Sequence, residues 1–197
     1  DAVIYAVGAS GDAALGIPGE DLPGLLSARE FVAWYNGHPD YRDLAVDLSS
    51  ERAVIVGNGN VAMDVARMLS LSPEALAKTD IADHALEALR GSRIREVVVL
   101  GRRAAFQGAF NNPELEELGE LPGVDLGVEG GDVGFEEARF QGVLEDSARR
   151  KFATLKRFSE RPVRGLDRRI VLKFLASPFE IQGEGRVQSL RIVQNRL

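Results

Sequence analysis

Residues 53–69, AVIVGNGNVAMDVARML, constrain the fold more than any other stretch of the chain. A short apolar strand runs into Gly57, two small turn residues follow, and an amphipathic helix pattern starts at once. The residues Gly57, Asn58, Gly59, Asn60, Val61 and Ala62 fit the pattern G-x-G-x-x-G/A. Gly57 lets the chain turn sharply out of the strand, and Gly59 leaves no side chain between backbone and an approaching group. Ala62 is small enough for the helix to pack against the strand. The helix start then offers unpaired N–H groups and a partial positive charge, a setting suited to a pyrophosphate. The same glycines also serve a turn that binds nothing. The strand before and the helix after make the ligand-binding reading the stronger one.

The whole chain has 197 residues, 45% hydrophobic and 27% charged, which suffices for one substantial core. It has no cysteine, so disulfides, thiolate metal sites and cysteine nucleophiles are excluded. Its two histidines, His38 and His84, are far apart and lack ligand spacing, so no metal site is expected. The absence of cysteine fits a reducing compartment, and a cytoplasmic location is expected. No apolar run approaches the length of a membrane span. A net charge of −6 has the sign opposite to a general nucleic-acid surface, so no nucleic-acid partner is expected.

Residues 2–7 read as a buried strand, and residues 8–24 as a Gly/Pro-rich loop. SAREFVAWYNG predicts a short helix capped by Ser27, with Glu30 in the capping-box position and Gly37 ending it. Strands are expected at 53–56, 97–100 and 124–128, with a helix over about 61–71. Two further helical pieces follow that helix, the second starting at Thr79-Asp80 and ending at Gly91. NPELEELGEL predicts a helix with Asn112 as cap and Pro113 in first position, and residues 135–160 read as helical with one glycine interruption. From 168 onward the rhythm changes to two strand-like runs around Gly183-Glu184-Gly185, a hairpin signal. The order points to an α/β, Rossmann-like dinucleotide-binding domain: a parallel central sheet with a smaller antiparallel β appendage.

The second strand, EVVVLGRR, ends in Arg102 and Arg103 rather than in an acidic residue. An Asp or Glu at that position suits the free ribose of NAD, whereas two guanidinium groups suit a doubly charged 2′-phosphate. The alternative is a solvated basic turn. The glycine pattern upstream favours NADP(H).

DAVIYAVGA, IPGEDLPG, SAREFVAWYNG, GNGNVAMDVAR, KTDIADHALEAL, VVVLGRR, QGAF and FLASPFEI occur in this order. Together they resemble the NADP-binding domain of adrenodoxin-reductase-type ferredoxin–NADP reductases, including the bacterial ferredoxin/ferredoxin–NADP reductases, over essentially the whole chain. The resemblance implies a flavoenzyme with two dinucleotide domains, FAD in one and NADP(H) in the other. In such enzymes NADPH reduces the flavin, which passes single electrons to a ferredoxin-like iron–sulfur protein. The family's FAD domain is built from both ends of the chain, and its fingerprint is missing here. Residues 1–11 are therefore expected to be a remnant strand and crossover of that domain, disordered or paired in a non-native way. Residues 12–197 are expected to form the NADP(H) domain. The start inside a strand pattern, without an initiator methionine, fits a fragment, and the fragment alone is expected to be inactive.

Position by position, the resemblance places the phosphate-binding turn on Asn58, Gly59, Asn60 and Val61. It places the 2′-phosphate arginines on Arg29, Arg102 and Arg103. Glu114 matches a glutamate that steadies one of these arginines, and Glu117 matches one near the nicotinamide, the single catalytic candidate. Glu114 and Glu117 lie three apart and share a helix face, although an acid-rich stretch like this is ordinarily a solvated face. Ala104-Ala105 stand where the family usually carries Gly-Pro, so the loop leaving the second strand is expected to differ. Trp34 and Tyr35 are read as core, His38 as a loop residue, and Arg149, Arg150, Lys151, Arg168 and Arg169 as exposed charge. Two other readings remain at this point: the NADP(H) domain of another two-domain flavoprotein, such as the electron-input subunit of glutamate synthase, or a non-catalytic NADP(H)-binding module.

Overall fold

The computed structural model describes residues 14–130 and 145–196. The expected strand at 2–7, the remnant segment 1–11 and the first part of the helix expected from 135 lie wholly or largely outside them. Four parallel strands form the central sheet: β1 (Arg52–Val56), β2 (Glu96–Leu100), β3 (Val124–Glu129) and β4 (Arg168–Lys173), in spatial order β1-β2-β4-β3. The register runs without a shift, with Val54 opposite Val98 and Val98 opposite Val171. Parallel strands need crossovers, and the chain supplies helices for them. After α1 (Ala28–Tyr35), which precedes β1, these are α2 (Asn60–Ser70), α3 (Pro73–Leu76), α4 (Asp83–Arg90), α5 (Asn112–Gly119) and α6 (Asp146–Ser159). An antiparallel pair, β5 (Ala176–Gln182) with β6 (Ser189–Gln194), forms a second, small sheet.

Alternation along the strands places Ile55, Val97, Val99, Ile170, Leu172 and Val124 on one face. They meet Met63, Ala66 and Leu69 of α2, Leu115 and Leu118 of α5, and Phe152, Leu155 and Phe158 of α6 in one core. The aromatic residues of α1 belong to it too: Phe31, Trp34 and Tyr35 are buried, as a packing role requires. The opposite face carries a row of cross-strand charges, with Arg169 between Glu96 and Glu129 and Lys173 on Glu129 at 3.0 Å. At the start of β3, the carboxylate of Asp125 accepts from the Leu166 amide and from Arg164, which holds its pKa below the usual carboxylate range and ties down the approach to β4.

Several local boundaries differ from expectation. The run from 168 holds three strands, and the first, Arg168–Lys173, joins the parallel sheet rather than the appendage. Its Ile170, Val171 and Leu172 are all buried, the mark of a strand covered on both faces. Ser27 does cap α1, its Oγ accepting from the Glu30 amide. Helix α4 starts at Asp83 instead of Thr79-Asp80. The Thr79 hydroxyl donates back to the Leu76 carbonyl and the Ala82 amide is taken by Tyr35 O, which hold residues 79–82 as a turn leading into the helix. The cap of α5 is Asn111, one residue before the expected Asn112, whose side chain instead donates to Ser147 O. Lys151 and Arg168 are not simply exposed charge. Lys151 donates to Gly108 O, and Arg168 reaches Leu71 O.

Helix α5 packs against α6 at Gly119, where an added methyl group would fall 2.1 Å from Cζ of the buried Phe158. Gly119→Ala is expected to cost about 1–3 kcal/mol through overpacking. Urea unfolding checks this, and an unchanged midpoint would contradict the close contact.

Candidate functional site

Parallel strands deliver their carboxyl ends to one edge of the sheet, where ligands of open α/β folds bind. Here β1 and β2 are neighbours, so the turn after β1 lies beside the loop after β2. The Gly57 amide donates to Leu100 O at 2.9 Å, the last link between the strands before they part. Gly57 has φ +111°, a conformation a side chain would strain, and so this glycine is needed by the fold itself. Gly59 differs. Its φ is −85° and its ψ 179°, ordinary extended backbone, and among the described residues no atom beyond its chain neighbours lies within 4 Å of where its Cβ would be. Nothing among the described residues demands a glycine there. A Cβ would fill open space in front of the α2 amino terminus, where no side chain caps the first N–H groups.

The turn is tied to the loop that follows β2. The Asn111 amide donates to Asn60 Oδ1 at 2.9 Å, and the Ala109 amide makes a longer contact of 3.5 Å to Asn58 Oδ1. Gly101 leaves room for Asn58: a Cβ on it would fall 2.4 Å from Asn58 Nδ2. Asn58 and Asn60 thus spend their amide oxygens inside the fold. Val61 is exposed, whereas Ala62 is buried and lets α2 pack close, as its place in the motif requires.

Arg102 and Arg103 are exposed, and neither guanidinium makes an ion pair among the described residues. Ala104 and Ala105, the departure from the family pattern, are buried, and a single turn of tight helix follows over Ala105–Gln107. Lys151 secures the far end of this loop. It donates to Gly108 O, sits 4.9 Å from the centre of the Phe110 ring, and its pKa is pushed down by burial. Residues 57–62 and 102–103 are therefore brought to one edge. Arg29 lies on α1, with its guanidinium donating to the Tyr41 hydroxyl at 2.9 Å. Glu117 lies 3.7 Å from Arg67 of α2. Glu114 makes no ion pair among the described residues, and its Oε2 is buried without a hydrogen-bond partner.

Sequence reasoning missed Asn111, Lys151 and Asn195. The Asn195 side chain donates to the backbone oxygen of Arg102 at 2.7 Å. Each acts across more than forty residues of chain, and no local pattern announces it. His38 takes a local role, its Nδ1 accepting from the Asp40 amide.

This is a Rossmann-like fold: a parallel sheet whose glycine-rich strand-to-helix turn and basic loop share one carboxyl edge. No family model matches the chain. It is 48% identical over 204 residues to NADPH-ferredoxin reductase FprA of Mycobacterium leprae, covering 100% of this chain and 43% of that protein. It is 56% identical over 122 residues to the mitochondrial NADPH:adrenodoxin oxidoreductase of Mus musculus, over 62% of this chain and 25% of that one. The solved structure of Mycobacterium tuberculosis FprA in complex with NADPH superposes with a TM-score of 0.86 at 45% identity, over 98% of this chain and 42% of that one. The chain is a homologue of part of the adrenodoxin-reductase-type NADPH–ferredoxin reductases, and spans less than half the length of the curated relatives named here. Among the described residues no helix is long and apolar enough to cross a membrane.

The Asn60–Asn111 bond gives the turn its own test. Asn60→Ala is expected to cost about 1 kcal/mol and to speed hydrogen exchange at the Asn111 amide. Unchanged exchange there would show that the turn does not hold the loop.

Proposed function

We propose that residues 12–197 form the NADP(H)-binding unit of a FAD-dependent ferredoxin–NADP reductase. The observation that carries this is Gly59: a glycine that neither its backbone angles nor its neighbours among the described residues require, at a helix amino terminus. A group from outside the chain that must come close to the backbone explains it, and a dinucleotide pyrophosphate is such a group. Arg102 and Arg103, one strand over and without an ion pair among the described residues, supply the positive charge for a 2′-phosphate. The kinship with a protein solved in complex with NADPH supports the same reading.

In this reading the turn of Gly57, Asn58, Gly59, Asn60, Val61 and Ala62 holds the pyrophosphate, with Asn58 and Asn60 keeping its shape. Arg102, Arg103 and Arg29 hold the 2′-phosphate. Glu114 has a buried oxygen free to accept from one of those arginines when the ligand orders it. Glu117, kept near α2 by Arg67, faces the nicotinamide end. The chemistry itself, hydride donation from the reduced nicotinamide to FAD and onward single-electron transfer to a ferredoxin-like iron–sulfur protein in the cytoplasm, belongs to the cofactors. This chain's part is to bind and orient. By itself it is inactive, because FAD belongs to the remainder of the protein.

The test is equilibrium binding of NADP⁺, NAD⁺ and 2′-phospho-AMP to the complete protein. Arg102→Ala and Arg103→Ala are each expected to weaken NADP⁺ by about tenfold or more, the loss of a charge-assisted hydrogen bond, and to leave NAD⁺ nearly unchanged. Equal affinity for NADP⁺ and NAD⁺ in the unaltered protein would sink the proposal. Gly59→Ala is expected to keep the thermal midpoint while weakening both dinucleotides. A lowered midpoint would mean that the fold needs this glycine after all.

A further inference from the structure

The arginine loop is held by the β appendage, an element that the functional reading above leaves without a task. Three consecutive carbonyls, those of Gly101, Arg102 and Arg103, each accept a hydrogen bond from it or from the corner that leads into it. Ala176 N donates to Gly101 O at 3.0 Å, Asn195 Nδ2 to Arg102 O at 2.7 Å, and Leu175 N to Arg103 O at 3.0 Å. The corner at Leu175 is unusual. Its φ is +53°, and among the described residues it is the one non-glycine in the left-handed region. A branched side chain is uncommon there and persists where surrounding contacts over-determine it. The contacts are present: Leu175 is buried, its amide is bound to Arg103 O, and its carbonyl accepts from the Asn195 amide at 2.7 Å.

Asn195 joins these parts. It lies just past β6, and both side-chain hydrogens are used, one on Arg102 O and the other on Ser177 Oγ at 2.8 Å. It therefore staples the end of β6, the start of β5 and the backbone of Arg102 together. The guanidinium of Arg102 is left exposed and free of any ion pair among the described residues. A backbone fixed from behind and a charged side chain free in front is the arrangement that preorganised anion recognition needs.

We propose that Asn195 is a positioning residue for 2′-phosphate recognition: through the Arg102 carbonyl, the β hairpin sets the preference for a 2′-phosphorylated dinucleotide over its unphosphorylated form. This rests on the NADP(H) reading above. The partner group is the phosphate monoester on the ribose, and Asn195 does not touch it.

The experiment measures Kd for NADP⁺ and for NAD⁺ on the complete protein, with Asn195→Leu and Asn195→Ala. Leu keeps the branched shape of Asn, with the same number of side-chain heavy atoms, and removes the donor. Asn195 is only half-buried, so both variants are expected to fold, which a thermal midpoint checks. The expected result is a fall of about fivefold in the ratio of NADP⁺ to NAD⁺ affinity, with NAD⁺ affinity unchanged. In an Arg102→Ala background the same substitutions are expected to move the ratio no further. Two outcomes overturn the proposal: an unchanged ratio, or equal weakening of both ligands, which marks a merely structural role. If the unaltered protein shows no preference for NADP⁺, the underlying reading fails and takes this inference with it. A preference undiminished in the Asn195 variants sinks the inference alone.

Discussion

The hydrogen-bonded seam between β1 and β2 is the constraint on which the site depends. Because the strands are parallel and in register, Val56 and Leu100 finish side by side. The Gly57 amide closes the seam on Leu100 O, and both chains then leave the sheet at one height. An antiparallel pairing would send the glycine turn and the arginine loop to opposite ends. The register is in turn held by burial, because a slip of one residue would turn Val97 and Val99 away from α2 and out of the core.

What lies above the seam is a set of polar clamps. Asn60 ties the turn to Asn111, Lys151 reaches from α6 to Gly108, and Asn195 reaches from β6 to Arg102. None of them replaces the apolar core as the source of stability. Each satisfies a backbone group in a loop that has no ladder to join, as such groups require when they are withdrawn from water. The result is a loop of fixed backbone bearing two exposed positive charges. Rigid support under exposed charge suits a ligand whose end groups are anionic, because less order remains to be lost on binding.

Much of this was legible in the residues. The strand–turn–helix at 53–69 was readable because apolar period, glycine placement and helix start coincide within seventeen residues. Ser27 was readable as a cap because capping is a local hydrogen bond. Asn112 and Thr79-Asp80 misled by one to four residues, because the deciding partners, Ser147 for one and Tyr35 for the other, are distant in sequence. Arg168–Lys173 was grouped with the hairpin because three apolar residues in a row are equally at home in a strand covered on one face or on two. Only the neighbours β2 and β3 on either side distinguish these.

The division follows the range of the forces. Short-range patterning, in which backbone angles, caps and alternation act within a few residues, specified the elements, the glycine at position 57 and the charge at Arg102 and Arg103. The residues themselves also carried the kinship with the ferredoxin–NADP reductases. The chain alone did not reveal that no described neighbour requires Gly59, that Lys151 and Arg168 reach inward, or that Asn195 stands behind Arg102. Those facts arise where segments separated by tens of residues meet. A hydrogen bond between them leaves no periodic trace in either segment, because each partner needs only one polar atom in the right place.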